Sequence, residues 1–86
     1  MLSVQNVVPD FDKKCRKLRH DTGFGFTQRE SEVLVLSCYD FEVEKIAQLM
    51  HRSPKTILKH RENAKQKTPF STLMRMATYI WPLINH

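Results

Sequence analysis

Residues 40–67 read DFEVEKIAQLMHRSPKTILKHRENAKQK, and this stretch decides the fold. Asp40 is a helix start signal, and Glu42 and Glu44 complement the positive end of a helix running through Met50. Ile46, Ala47, Leu49 and Met50 recur at helical spacing and are expected to be buried. Ser53 then suits the capping position of a second helix, with Pro54 at the first helical residue, where its missing N–H costs nothing. Only His51 and Arg52 separate Met50 from Ser53. Two helices joined by so short a connection pack at a steep angle, which is a helix-turn-helix.

The flanking sequence supplies a scaffold for this pair. Upstream, Thr27 followed by Glu30 forms a capping box ahead of the apolar run Val33 to Leu36, which predicts a helix over 28–38. Phe26 precedes the cap in position to staple onto its first turn. Val7, Val8, Phe11, Cys15 and Leu18 form a stripe that predicts a helix over 9–19, with Pro9 in its first turn and Lys13, Lys14, Arg16, Lys17 and Arg19 on the other face. Asp21 to Gly25 then make a linker. Downstream, Thr68, Pro69 and Phe70 end the second helix of the pair. Ser71 is expected to cap a last helix that Pro82 stops after Trp81. That helix carries Leu73, Met76, Ala77, Ile80 and Trp81, more apolar surface than a small domain needs, so a partner subunit is expected to cover it. The expected class is all-α: an N-terminal helix and linker over 1–25, and a four-helix unit over 26–86.

Composition narrows the function. The chain has 86 residues and a formal net charge of +5. Residues 52–67 hold six cations against the single acid Glu62, so this window alone carries a charge equal to that of the whole chain. A basic helix on an otherwise balanced domain is the electrostatic footprint of a nucleic-acid reader. Cys15, Cys38, His20, His51 and His60 show no CxxC or HxxxH spacing, so neither a metal nor another cofactor is expected. No nucleophile stands in a recognised context and no Gly-rich phosphate loop is present, so catalysis is not expected either. The N-terminus lacks the pattern of a signal peptide and no apolar stretch approaches bilayer length, which points to a cytoplasmic protein with reduced thiols.

Residues 26–60, FTQRESEVLVLSCYDFEVEKIAQLMHRSPKTILKH, resemble the DNA-binding domain of LuxR-type (GerE-type) bacterial transcription regulators. Thr27, Arg29, Glu30, Glu32, Val33, Leu34, Leu36, Ile46, Ala47, Ser53, Lys55, Thr56, His60, Asn63 and Lys67 keep the order and spacing of that pattern. Asp40 or its neighbour stands where the pattern has a turn glycine, and Leu58 replaces its usual lysine.

The resemblance implies double-stranded DNA as partner, a homodimer, and a recognition helix over 53–67. It places Leu58, Lys59 and Glu62 where base edges are read. Lys55, Thr56, Arg61, Lys65 and Lys67 suit phosphates. Other roles stand beside these: Lys65 and Lys67 also complement a helix C-terminus, Glu62 also pairs with Lys59 or Lys65, and His60 also suits packing between helices. The expected function is a small stand-alone transcription regulator, dimerising through Leu73, Met76, Ala77, Ile80 and Trp81. The competing expectation is an interaction module that binds a full-length regulator or RNA polymerase.

Overall fold

Thr27 caps α3 (Gln28–Cys38) in the computed structural model, which describes residues 4–85. The Glu30 amide donates to Thr27 Oγ1 at 3.1 Å, and the Thr27 amide donates to Glu30 Oε1 at 2.9 Å. Two otherwise orphaned N–H groups are thereby satisfied, and the helix occupies its predicted range. Residue N4, where an apolar staple partner for Phe26 would stand, is the buried Ser31, so Phe26 packs instead against Phe24 at 5.7 Å between ring centroids. Val33, Leu34, Val35 and Leu36 are all buried, as are Glu30 and Ser31. A helix covered on so much of its circumference is the centre of its domain. Around it stand α2 (Phe11–Thr22), α4 (Val43–Met50), α5 (Pro54–Gln66) and α6 (Leu73–Ile84).

The turn before α4 departs from its prediction in one respect. Asp40 does not cap the helix; Glu42 holds that position without a side-chain hydrogen bond. Asp40 instead takes the left-handed backbone, at φ 66°, that the resemblance assigned to it or its neighbour. The Phe41 amide then returns to Leu36 O at 3.3 Å and closes the end of α3. At the far end of α4, His51 is also left-handed, at φ 56°, and the Arg52 amide donates to Ala47 O at 2.9 Å. Ser53 Oγ accepts the Thr56 amide at 3.2 Å, and Pro54 opens α5. The connection between the two helices is therefore His51, Arg52 and Ser53, as short as the sequence requires.

The N-terminal segment joins the same core. α2 buries Phe11, Cys15 and Leu18, the predicted stripe, against α3 and α6. Its range differs from 9–19: a short α1 (Val4–Val7) precedes Pro9, Asp10 enters in a left-handed conformation, and the helix continues to Thr22, where left-handed Gly23 ends it. In its last turn the Thr22 hydroxyl donates to Leu18 O at 2.9 Å. Phe24 then packs near Phe70 at 6.3 Å and Tyr79 at 6.1 Å, fixing the linker to the α5–α6 connection and to α6.

α6 corrects three expectations. Thr72 rather than Ser71 caps it, accepting the Arg75 amide at 3.1 Å. Pro82 does not stop it after Trp81, because Ile84 is buried and the Asn85 amide still reaches Trp81 O at 3.0 Å, so packing holds the last turn despite the missing N–H. Met76 and Ile80 are not available to a partner subunit. Together with Ile84 they form the stripe that faces this chain's own core, at 0, 1 and 6% exposure. Leu73 and Ala77 are half-buried, while Met74, Tyr79 and Trp81 point outward.

α5 has only two buried residues, Ile57 and Ala64. A polar contact secures its end: Lys67 Nζ donates to Glu30 Oε1 at 2.7 Å and to Gly25 O at 3.1 Å. Burial alone would raise the Glu30 carboxyl. The Lys67 ammonium and the Thr27 amide outweigh it and hold the carboxyl below its usual value. Glu30→Ala should cost about 2 kcal/mol in urea denaturation, since it leaves the ammonium unpaired and opens the cap. A carboxyl that titrates lower in the fold than in the unfolded chain stabilises fully above the ordinary carboxylate range. That stabilisation is lost as pH falls through the folded value, so Glu30→Gln should flatten the acid limb of the stability curve. By the same assay Ile57→Ala should cost about 3 kcal/mol, whereas Leu58→Ala, on the outer side, should stay within about 0.5 kcal/mol of the parent.

Candidate nucleic-acid interface

At about 100° per residue, Ile57 and Ala64 turn one side of α5 inward and leave the opposite side to Lys55, Leu58, Lys59 and Glu62. All four are exposed, Leu58 by 46%. Ser53 and Pro54 start the helix at the end of the tight turn, so this face begins within one helical turn of α4. The result is a protruding ridge with cations along it and a leucine among them.

The remaining predicted residues fall into different surroundings. Thr56 is half-buried, with Oγ1 3.0 Å from Ser53 Oγ, and belongs to the cap. Arg61 is half-buried toward the edge of the ridge. Lys65 pairs with Glu62 at 3.5 Å, an exposed contact of little energetic weight. Lys67 is not on the ridge, because its ammonium is bonded to Glu30 and Gly25 O. His60 is half-buried. Asn63 and Gln66 are exposed beside Lys59 and Glu62. The amide Gln66 lies four residues after Glu62 on the same helical face, a signal present in the 3.6-residue period but hidden by the neighbouring charges.

The ridge suits polyanion recognition. Lys55 and Lys59 donate without accepting, Glu62 only accepts, and Leu58 offers an apolar contact of the kind a thymine methyl receives. Nucleophilic chemistry has no support from the thiols. Burial pushes both Cys15 and Cys38 up to about 12, Cys15 with a further contribution from Glu32. Among the described residues, no helix is long and apolar enough to cross a membrane.

A second exposed feature lies on α6. Met74 and Trp81, with Ala77 and Thr78, border a shallow groove that Cys38 of α3 completes. Leu73, Ala77 and Trp81, from the predicted dimerisation set, retain some accessible surface.

Residues 25–79 match the family described as bacterial regulatory proteins, luxR family. No curated protein and no solved structure gave a significant match. The matched region takes in α3, α4, α5 and the first part of α6, and leaves α1 and α2 outside it. A short-turned helix pair, a cationic second helix with its outer side exposed, and a family match over more than half the chain agree: the protein belongs to the luxR family of bacterial regulatory proteins and carries that family's DNA-binding helix-turn-helix.

Proposed function

We propose that the chain regulates transcription as a homodimer that lays α5 into the major groove of duplex DNA. The observation that supports this most is the outward set Lys55, Leu58, Lys59 and Glu62 on a helix whose inner side is fixed by Ile57 and Ala64. Lys59 donates to guanine O6 and N7, Leu58 packs on a thymine methyl, and Glu62 accepts from cytosine N4. Lys55, Thr56, Arg61 and Lys65 contact phosphates and orient the helix without selecting sequence. Lys67 is withdrawn from this set in favour of its ion pair. The dimer forms through the outer side of α6, with Leu73, Ala77 and Trp81 joined by Met74, while Met76 and Ile80 support that surface from within.

A gel-shift titration on a duplex selected from a random pool tests the reading. Affinity should fall steeply with salt, and Arg61→Ala or Lys65→Ala should each reduce the salt slope by about 1. Lys59→Ala should cost about 1–3 kcal/mol and relax the preference at one base position. Lack of salt-dependent binding, together with no loss in a Lys55→Ala, Lys59→Ala double variant, would refute it. If the same preparation then bound a full-length regulator or RNA polymerase through the exposed Met74 and Trp81, the interaction-module reading would replace it.

For the dimer, sedimentation equilibrium of the parent should show self-association that Trp81→Ser with Met74→Ser abolishes. A parent that stays monomeric when bound to its selected site would exclude this interface.

A further inference from the structure

A cleft of about 550 Å³ lies between α2 and the end of α6. Lys13, Lys14 and Lys17 line it from α2, Ile84 and Asn85 from α6, and Asp10 from the entry to α2. Three cations face one acid, so the lining carries a net charge of +2 at neutral pH. One wall is held in place before any ligand arrives. Lys14 Nζ donates to Pro9 O at 2.5 Å and lies 5.7 Å from the centroid of the Tyr39 ring. The Tyr39 hydroxyl donates to Asn85 Oδ1 at 2.8 Å. That bond occupies the acceptor end of the amide, and Asn85 Nδ2 is buried with no hydrogen-bond partner among the described residues.

We propose that this cleft binds phosphate groups. Its charged lining is three ammonium groups opposed by Asp10. Charge-assisted bonds from Lys13 and Lys17 to phosphate oxygens are the strong kind. Lys17 is paired with Asp21 at 3.2 Å, but an exposed (i, i+4) pair is weak and yields to a multiply charged oxyanion. The volume exceeds that of one phosphate and falls within the roughly 300–1,000 Å³ typical of small-molecule sites. The phosphate therefore comes either from a nucleic-acid backbone or from a phosphorylated small molecule of nucleotide size.

The cleft is independent of the α5 ridge. Arg19 of α2 donates to Ser31 Oγ at 3.0 Å, while Lys67, at the end of α5, reaches Glu30. Glu30 and Ser31 are consecutive on α3, so the two elements approach it about 100° apart. α2, which supplies the lysines of the cleft, lies outside the region matched to the family.

The test is a ¹H–¹⁵N titration of the full chain with pyrophosphate at constant ionic strength, with chloride as control. Saturable shifts should concentrate at Lys13, Lys14, Lys17 and Asn85 and leave Leu58 and Lys59 in place. Lys13→Ala with Lys17→Ala should weaken binding about tenfold, and Asp10→Asn should tighten it. Lys13→Arg with Lys17→Arg, which keeps the charge, guards against a folding defect by retaining binding.

Competition by a short random-sequence duplex but not by a nucleoside triphosphate would assign the backbone as source. The reverse would assign the small molecule. Shifts that follow chloride equally, or that spread over every exposed lysine and survive the double alanine variant, would overturn the proposal whatever α5 does with DNA.

Discussion

The ion pair between Lys67 and Glu30 is the constraint on which the presentation of α5 depends. A helix offered to a groove has to keep most of its circumference free, and α5 buries only Ile57 and Ala64 along its length. Two side chains seven residues apart define a line of contact. They do not by themselves resist rotation about that line. Polar contacts at the two ends supply the missing restraint. Ser53 caps the start against the Thr56 amide, and Lys67 ties the other end to a carboxylate that is 4% exposed. Because Glu30 also closes the capping box of α3, one side chain fixes both the central helix and the helix that leaves it.

The same economy explains the N-terminal segment. α3, whose Val33, Leu34, Val35 and Leu36 are all buried, is packed by α2 and α6 as well as by α4 and α5. α2 buries Phe11, Cys15 and Leu18 and carries Lys13, Lys14, Arg16, Lys17 and Arg19 on its remaining surface. Two basic surfaces therefore coexist on one small core. The net charge of the chain, concentrated in residues 52–67, describes only the first of them.

What was legible in the sequence follows from the range of the interactions. Capping box, serine cap and helix-turn-helix spacing were readable because each is written within a few residues: Thr27 and Glu30, Ser53 and Pro54, Met50 and Ser53. The central helix was readable because Val33 to Leu36 are four consecutive apolar residues behind a capping box. The Lys67 contact was not, since Glu30 lies 37 positions away in sequence and a terminal lysine equally suits phosphate or a helix dipole. Pro82 misled for a related reason. A local rule that ends helices gave way to burial of Ile84, a tertiary effect. Likewise, which apolar residues of α6 stay outside depends on where α2 and α3 lie. Met76 and Ile80 turn in, and Met74 and Trp81 turn out.

The proposed role of α5, held by Ile57, Ala64 and the Glu30 ion pair, is to present Leu58 and Lys59 to base edges. Intermolecular nuclear Overhauser effects between the full chain and a selected duplex test it. Contacts should run from the Leu58 methyl groups to thymine methyl or cytosine H5 protons in the major groove. Contacts to DNA arising only from α2 or α6, with Leu58 silent in a specific complex, would contradict it.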